Sequence, residues 1–322
     1  STLSGSRIYS NDVDIDGTLK LSASSGSFVS GSWDANGGVF THSGYVLFSG
    51  TGAETIASSG SSFSGVTIND GLVGYWKFDE GAGTAIADSS GYKNRGILQN
   101  SDSDEWVTGT PKTNFNNPYA LDFDGTNDYV DINKPNTTTN PFTLSTWANA
   151  NDLSQMQATY GAGIIVNNNG DVTGDWMLNV DNDGAVRFYN WRSNGADGDG
   201  QHKTDDGAIT ENTWYHIVAA WNGSSNQIYI NGTNTNYSNA STSSGWDTHH
   251  EIGKTYAGGT PYSWNGLIDD VRIYNRALSA SEIENLANGN PSTGSGYYTF
   301  GGMIDIAGDL KNYTGNLVSS GS

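Results

Sequence analysis

Trp214-Tyr215-His216-Ile217-Val218-Ala219-Ala220-Trp221 is a run of aromatic and aliphatic residues with no helix-breaking or turn residue inside it. It reads as a strand, because large rings and β-branched side chains fit a pleated, half-buried surface. The same texture recurs on both sides of it. Val73-Gly74-Tyr75-Trp76-Lys77-Phe78, Phe142-Thr143-Leu144-Ser145-Thr146-Trp147 and Trp176-Met177-Leu178-Asn179-Val180 are further aromatic strands, separated by Asn, Asp and Gly turns. Asp183-Gly184 and Asn231-Gly232 are hairpin signals, since these residues tolerate positive φ. One helix is expected near residue 280. Ser279 can cap it, with Glu282 three residues on as in a capping box; Ile283 and Leu286 form its apolar stripe and Gly289 stops it.

Working outward, composition agrees with an all-β antiparallel sandwich. Only 35% of the 322 residues are hydrophobic, but 11% are aromatic, with 10 Trp and 17 Tyr. Rings of that size supply the core volume that aliphatic residues do not. Each strand of such a sandwich buries one face against the opposite sheet and wets the other.

Residues 1–70 differ from this central part, 71–290. They are Ser/Gly-rich, and in Val13-Asp14-Ile15-Asp16-Gly17-Thr18-Leu19-Lys20-Leu21 the odd positions, Gly17 excepted, are apolar. Phe28-Val29, Val39-Phe40, Val46-Leu47-Phe48 and Val66-Thr67-Ile68 follow as further short strands, a spacing expected of a β-solenoid or a small sheet. The tail, 291–322, repeats the theme: Ile304-Asp305-Ile306-Ala307-Gly308-Asp309-Leu310 matches Val13 to Leu19, with Gly and the apolar positions in register. Each alternation offers an apolar face and backbone edges that one strand cannot cover. The two terminal segments are therefore expected to pair, within a chain or with neighbouring copies.

Several motifs, in order, resemble the laminin-G-like (concanavalin A-like lectin/glucanase) jelly roll. Gly74-Tyr75-Trp76-Lys77-Phe78-Asp79-Glu80-Gly81 and Asp88-Ser89-Ser90-Gly91-Tyr92-Lys93-Asn94-Arg95-Gly96 are similar to its opening strand and the turn after it. Ala120 to Val130 is similar to its early hairpin, and Trp214 to Val218 with Ile228-Tyr229-Ile230-Asn231-Gly232 to its late one. Gly266-Leu267-Ile268-Asp269-Asp270-Val271-Arg272-Ile273-Tyr274 is close to its closing strand. The Gly-, Ser- and Thr-rich stretch from Gly31 to Ile68 resembles repeats of large bacterial surface proteins. The resemblance implies a jelly roll flanked by short-strand β segments, and a carbohydrate- or matrix-binding module of a secreted or cell-surface adhesin. The alternative is a structural stalk or filament segment in which the jelly roll is an inserted decoration.

The formal net charge is −20, with only 14 Lys and Arg. Such a surface offers nucleic acid and anionic membranes no basic patch, and it attracts divalent cations. With no Cys there is no disulfide, thiolate metal site or thiol nucleophile. There is no apolar run long enough to span a bilayer and no leader at Ser1, as in a mature chain or an excised piece.

Jelly rolls of the resembled family often carry a structural calcium ion, which wants six to eight oxygens. The candidate ligands are Asp88 and Asn94 in the turn after the opening strand, Asp124 and Asp128 in the early hairpin, and Asp269 and Asp270 on the closing strand. In a regular strand Asp269 and Asp270 face opposite ways, so one of them at most aims at an ion. Asp197-Gly198-Asp199 with Asp205-Asp206 reads as a solvated loop. Sugar binding needs exposed rings beside polar groups; Trp191, Trp246, Trp264 and Tyr262 lie in polar stretches and are the candidates.

No enzyme is expected. Glucanases of this fold carry paired carboxylates on a Glu-x-Asp-x-x-Glu strand, and none is present. Asp122 and Asp124 share a face, but Gly125 ends that strand. His249 and His250 are adjacent and on a strand point apart, while His216 reads as a packing residue. There is neither a nucleophile elbow nor a phosphate loop.

Overall fold

The structure is a computed structural model. It describes residues 71–90, 92–101, 105–132, 141–156, 161–167, 176–190, 201–240, 250–257 and 260–290, with Ser32 and the strands of the terminal segments. Residues 201–202, 236–240 and 257, and the terminal strands apart from Trp33, are described by their backbone alone. The chain divides into two compact units, Val73–Gly289 and Ser1–Leu72 with Asn290–Ser322.

The larger unit is a sandwich of two eight-stranded antiparallel sheets. The first runs in the order Trp106–Val107, Ala120–Asp124, Asn265–Tyr274, Phe142–Ala150, Tyr215–Trp221, Ser225–Ile230 and Thr233–Ala240, and the opening strand Leu72–Trp76 also pairs with Asn265–Tyr274. The second runs Ala85–Ile86, Gly96–Gln99, Tyr129–Ile132, His250–Ile252, Ala162–Asn167, Trp176–Val180, Val186–Asn190 and Gln201–Lys203. Rings join the two sheets as the composition requires. Phe142 of the first lies 5.6 Å from Trp176 and 5.9 Å from Phe188 of the second, and 5.9 Å from Trp221 beside it. These separations suit tilted and edge-on ring contacts.

The turn chemistry is as read. Asn231 and Gly232 both take positive φ and join Ile230 to Thr233 across a two-residue hairpin. Gly266, at φ +134, lets the closing strand start against its neighbour, since a Cβ there would stand 2.2 Å from the Asn149 carbonyl oxygen.

The closing strand departs from strict alternation. Its pairing with Phe142–Ala150 slips between Ser145 and Trp147, so that Thr146 stands opposite both Asp270 and Val271. Asp270 takes φ +51 in this bulge. Asp269 and Asp270 are consequently both buried, although in a regular strand they would face apart.

The helix Ala280–Ala287 carries the full capping box: the Ser279 hydroxyl accepts from the Glu282 amide, and Glu282 accepts from the Ser279 amide at 2.6 Å. Arg276 donates to the same carboxylate at 2.9 Å. Ser279→Ala is expected to cost about 1 kcal/mol, the usual worth of such a cap. Urea melts of the full chain check it; no change would show that Glu282 and Arg276 hold the helix start alone.

In the smaller unit the strands run in parallel ladders. One contains Tyr9–Ser10, Ser27–Val29, Val46–Phe48, Val66–Ile68 and Leu310–Asn312; another contains Val13–Asp14, Trp33–Asp34, Ala53–Ala57, Tyr297–Gly301 and Leu317–Ser320. Strands of the tail thus pair with strands of residues 1–70. The likeness of Val13 to Leu19 and Ile304 to Leu310 is not structural equivalence. Val13–Asp14 pairs with Trp33–Asp34, whereas Asp305–Ile306 pairs with Ser62–Phe63 in a different ladder. Short alternating segments read alike wherever a parallel ladder is met. No helix among the described residues is long and apolar enough to cross a membrane.

Candidate functional site

A cluster of buried polar groups lies where the opening and closing strands of the jelly roll meet. Tyr75, on the opening strand, donates its hydroxyl to Asp270 Oδ1 at 2.6 Å. Arg272, two residues further along the closing strand, donates to the Tyr75 oxygen at 2.9 Å and lies 3.6 Å from Asp270. Its guanidinium stacks 4.4 Å from the centre of the Tyr75 ring. Burial raises the Tyr75 hydroxyl well above its ordinary value, with Arg272 opposing.

Asp269 takes a different set of partners. Asn117 Nδ2 donates to its Oδ2 at 2.7 Å, and the Asp270 amide donates to its Oδ1 at 2.8 Å. Asp79, just past the opening strand, completes the group. Burial pushes its carboxyl up to about 6; Lys77 opposes this, and the charges of Asp270 and Glu80 add to it. Asp269 is raised well above the usual carboxylate range by burial and by Asp270. Asp270 is raised by burial, against the pull of Arg272 and its bond from Tyr75. Three buried oxygens, Asp79 Oδ1, Asn117 Oδ1 and Asp270 Oδ2, have no hydrogen-bond partner among the described residues. Orphaned oxygens beside mutually repelling carboxyls are a donor set that suits a hard cation. It consists of acid and amide oxygens rather than an acid cage: no group of three or more His, Cys, Asp or Glu among the described residues is placed to hold a metal.

The other four candidate ligands stand apart from this set, and each has a structural task. Asp88 accepts from the amides of Tyr75 at 3.0 Å and of Ser90 and Asn94 at 2.8 Å. Asn94 donates to the Val73 carbonyl at 2.7 Å, and its own carbonyl accepts from Trp76 Nε1 at 2.8 Å. This turn therefore pins the opening strand along its length. Asp124 accepts from the amides of Thr126 at 2.6 Å and Asn127 at 3.2 Å, and Asp128 accepts from the Asp124 amide at 3.2 Å. The Asp124 contacts are those of an Asx turn, and Asp128 closes the same hairpin from its other side. Of the acidic loop, Asp197 and Asp199 lie outside the described residues; at its other end Lys203 reaches Asp206 at 2.7 Å and both Asp181 and Asp183 at 3.2 Å.

Of the candidate rings, Trp264 requires correction. It reads as a loop tryptophan, yet it is fully buried in the sandwich core. Its amide donates to the Gly253 carbonyl at 2.8 Å, and this fixes the junction between the Lys254–Ala257/Thr260–Ser263 hairpin and the closing strand. A ring so placed cannot stack on a ligand. Tyr262 is half-buried on that hairpin, opposite Thr255. Trp191 and Trp246 lie outside the described residues.

A serine–histidine pair is present. Ser145 Oγ and His216 Nε2 are 2.9 Å apart, and both residues are buried. Burial, with Arg272, pushes His216 down to about 3, and its Nδ1 has no partner among the described residues. A base needs an accessible nucleophile and a third group to orient it; this pair has neither and serves packing. Sequence reading missed Asp79 and Asn117. Asp79 follows the opening strand directly in Lys77-Phe78-Asp79-Glu80-Gly81, a signal that was available; Asn117 carries none.

A family model described as the concanavalin A-like lectin/glucanases superfamily matches residues 124–284, half of the chain. No curated protein matches in sequence. Among solved structures, the binding domain of botulinum neurotoxin DC in complex with rat synaptotagmin II is similar at 16% identity and a TM-score of 0.50, over 68% of this chain and 51% of that one. Domain 4 of AbnA, a GH43 extracellular arabinanase from Geobacillus stearothermophilus, in complex with arabinotriose, is similar at 19% identity and a TM-score of 0.47, over 67% of this chain and 98% of that one. The binding domain of Paraclostridial Mosquitocidal Protein 1 is similar at 18% identity and a TM-score of 0.49, over 69% and 56%. This chain spans about half the length of the toxin domains.

Proposed function

Because the chain belongs to the concanavalin A-like lectin/glucanase superfamily, we propose that its jelly roll is a non-catalytic carbohydrate- or matrix-binding module of a secreted or cell-surface protein. The observation that carries this reading is a two-sheet sandwich of that superfamily in which buried hydroxyl, imidazole and guanidinium groups are held in structural contacts. Asp270 is tied to Tyr75 and Arg272, and Ser145 to His216. The acidic surface accords with an extracellular setting and with a neutral glycan rather than a polyanion. Tyr262, Trp191 and Trp246 are the rings to test. Reproducible glycan-array binding by the full chain, lost in the Trp191→Ala, Trp246→Ala and Tyr262→Ala variants, is the expected result. A blank array favours a second reading, a structural segment of a surface stalk or filament, to which the parallel ladders lend support.

A calcium ion belongs to the same proposal. Asp79, Asn117 and Asp269 would hold it, with Asp270 beside them, and it would supply fixed positive charge that relieves the repulsion among their carboxyls. An ion bound only by the folded state at one hundred times its Kd adds about 2.7 kcal/mol. Calcium is therefore expected to raise the melting temperature of the full chain. Asp269→Asn should abolish that rise, and Asp124→Asn should leave it intact. A melting temperature indifferent to calcium and to chelator rules the ion out.

A further inference from the structure

The strands of the terminal segments repeat in trios along the chain. Thr2–Gly5, Tyr9–Ser10 and Val13–Asp14 form the first; Thr18–Leu21, Ser27–Val29 and Trp33–Asp34 the second; Val39–His42, Val46–Phe48 and Ala53–Ala57 the third. First members pair with first members, second with second and third with third, always in parallel. A chain that revisits the same three ladders in the same order is coiling, and each trio is one turn.

The fourth turn begins in the same way. Ser62–Phe63 lies beside Val39–His42, and Val66–Ile68 pairs with Val46–Phe48. Its third member is not the next strand of the sequence. The strand that pairs with Ala53–Ala57 is Tyr297–Gly301, which the chain reaches only after the whole jelly roll. Asp305–Ile306, Leu310–Asn312 and Leu317–Ser320 then pair with the three members of that split turn, in order.

We infer that the two terminal segments are a single parallel winding of five turns, and that the jelly roll is inserted at the corner between the second and third sides of its fourth turn. The register supports this across the insertion. Val13, Trp33, Ile56 and Phe300 occupy one position of the third ladder, three of them before the jelly roll and one after it. Trp33 in that column is fully buried. Val46, Val66 and Leu310 share one position in the second ladder, two of them before the jelly roll and one after it. Apolar residues repeating once per turn are what stacked turns need to bury a continuous interior. Neither terminal segment completes the winding alone, because the open edge of Ala53–Ala57 is covered only by residues that follow the jelly roll.

The chain has no cysteine, so engineered pairs report without background. Neighbouring parallel strands stand about 4.8 Å apart, within disulfide reach; strands two ladder steps apart stand at about 9.6 Å, beyond it. In the full chain, Thr55→Cys/Thr299→Cys and Thr67→Cys/Lys311→Cys are expected to form intrachain disulfides under mild oxidation. Thr55→Cys/Val318→Cys should not, because Tyr297–Gly301 lies between those strands. The inference is overturned if the first two pairs oxidise no faster than the third, or if their disulfides form only between chains. Should the cysteines disturb folding, Thr299→Pro decides: hydrogen-exchange protection of residues 53–57 should fall while that of 142–150 stays. Unchanged protection at 53–57 also overturns the inference.

Discussion

Arg272→Met is expected to cost about 3–5 kcal/mol in urea denaturation of the full chain, the usual effect of removing one partner from a buried ion pair. Arg272 is buried, donates to Tyr75 and faces Asp270, which is itself only 2% exposed. Methionine fills much of the same volume, so the loss reports charge rather than a cavity. The Asp270 carboxylate would be left in the interior with the Tyr75 hydroxyl as its one remaining side-chain donor among the described residues. The double variant Arg272→Met/Asp270→Asn should recover most of the loss, since neither charge then remains. Asparagine also tolerates the positive φ of that position. Both variants are measured in chelator, so that no bound cation enters the comparison. A loss below about 1 kcal/mol for the single variant, the scale of an exposed pair, would show that Arg272 is not what neutralises Asp270.

Acid is expected to destabilise the chain through His216 well before ordinary carboxylates protonate. The folded state holds this ring neutral, with burial pushing it down to about 3, whereas an unfolded histidine titrates near 6.5. Its stabilising contribution is therefore whole above about pH 6.5. It declines by about 1.4 kcal/mol per pH unit as pH falls toward 3, because the unfolded chain takes up a proton that the folded one refuses. Asp79 and Asp269, whose carboxyls are raised, act in the opposite direction and gain stability as pH falls. A neutral variant at position 216 isolates the histidine from them. Between pH 7 and 5 the original chain should lose about 2 kcal/mol more than His216→Gln. Parallel losses in the two proteins would falsify the assignment.

The parts of the fold governed by local chemistry were legible in the sequence. Aromatic runs announced the strands, Asn231-Gly232 a hairpin, and Ser279 with Glu282 the start of the single α-helix among the described residues. The parts that depend on distant register were not. Trp264 sits among polar residues in sequence, and only the hairpin before it turns its ring into the core. Asp269 and Asp270 read as an alternating pair until the bulge opposite Thr146 breaks the period of two. Asp79, Asn117 and Asp269 gather from three separate segments, and no spacing rule connects them. In the terminal segments the alternation was visible, but which strand stacks on which was not: Gly, Ser and Thr repeat too freely to mark a turn.

The position of Asn265–Tyr274 bears on how the domain comes to be folded. The last strand of the jelly roll to leave the ribosome lies in the interior of its sheet, between Ala120–Asp124 and Phe142–Ala150, and it also receives the opening strand. Until it arrives, those strands have open backbone edges, and no early subset can close the sandwich. Folding must wait for nearly the whole domain and then form its most distant contacts together, which makes it slow. A nascent or truncated chain ending before residue 265 would present long, unpaired, aromatic-rich edges, the kind of surface that other chains extend.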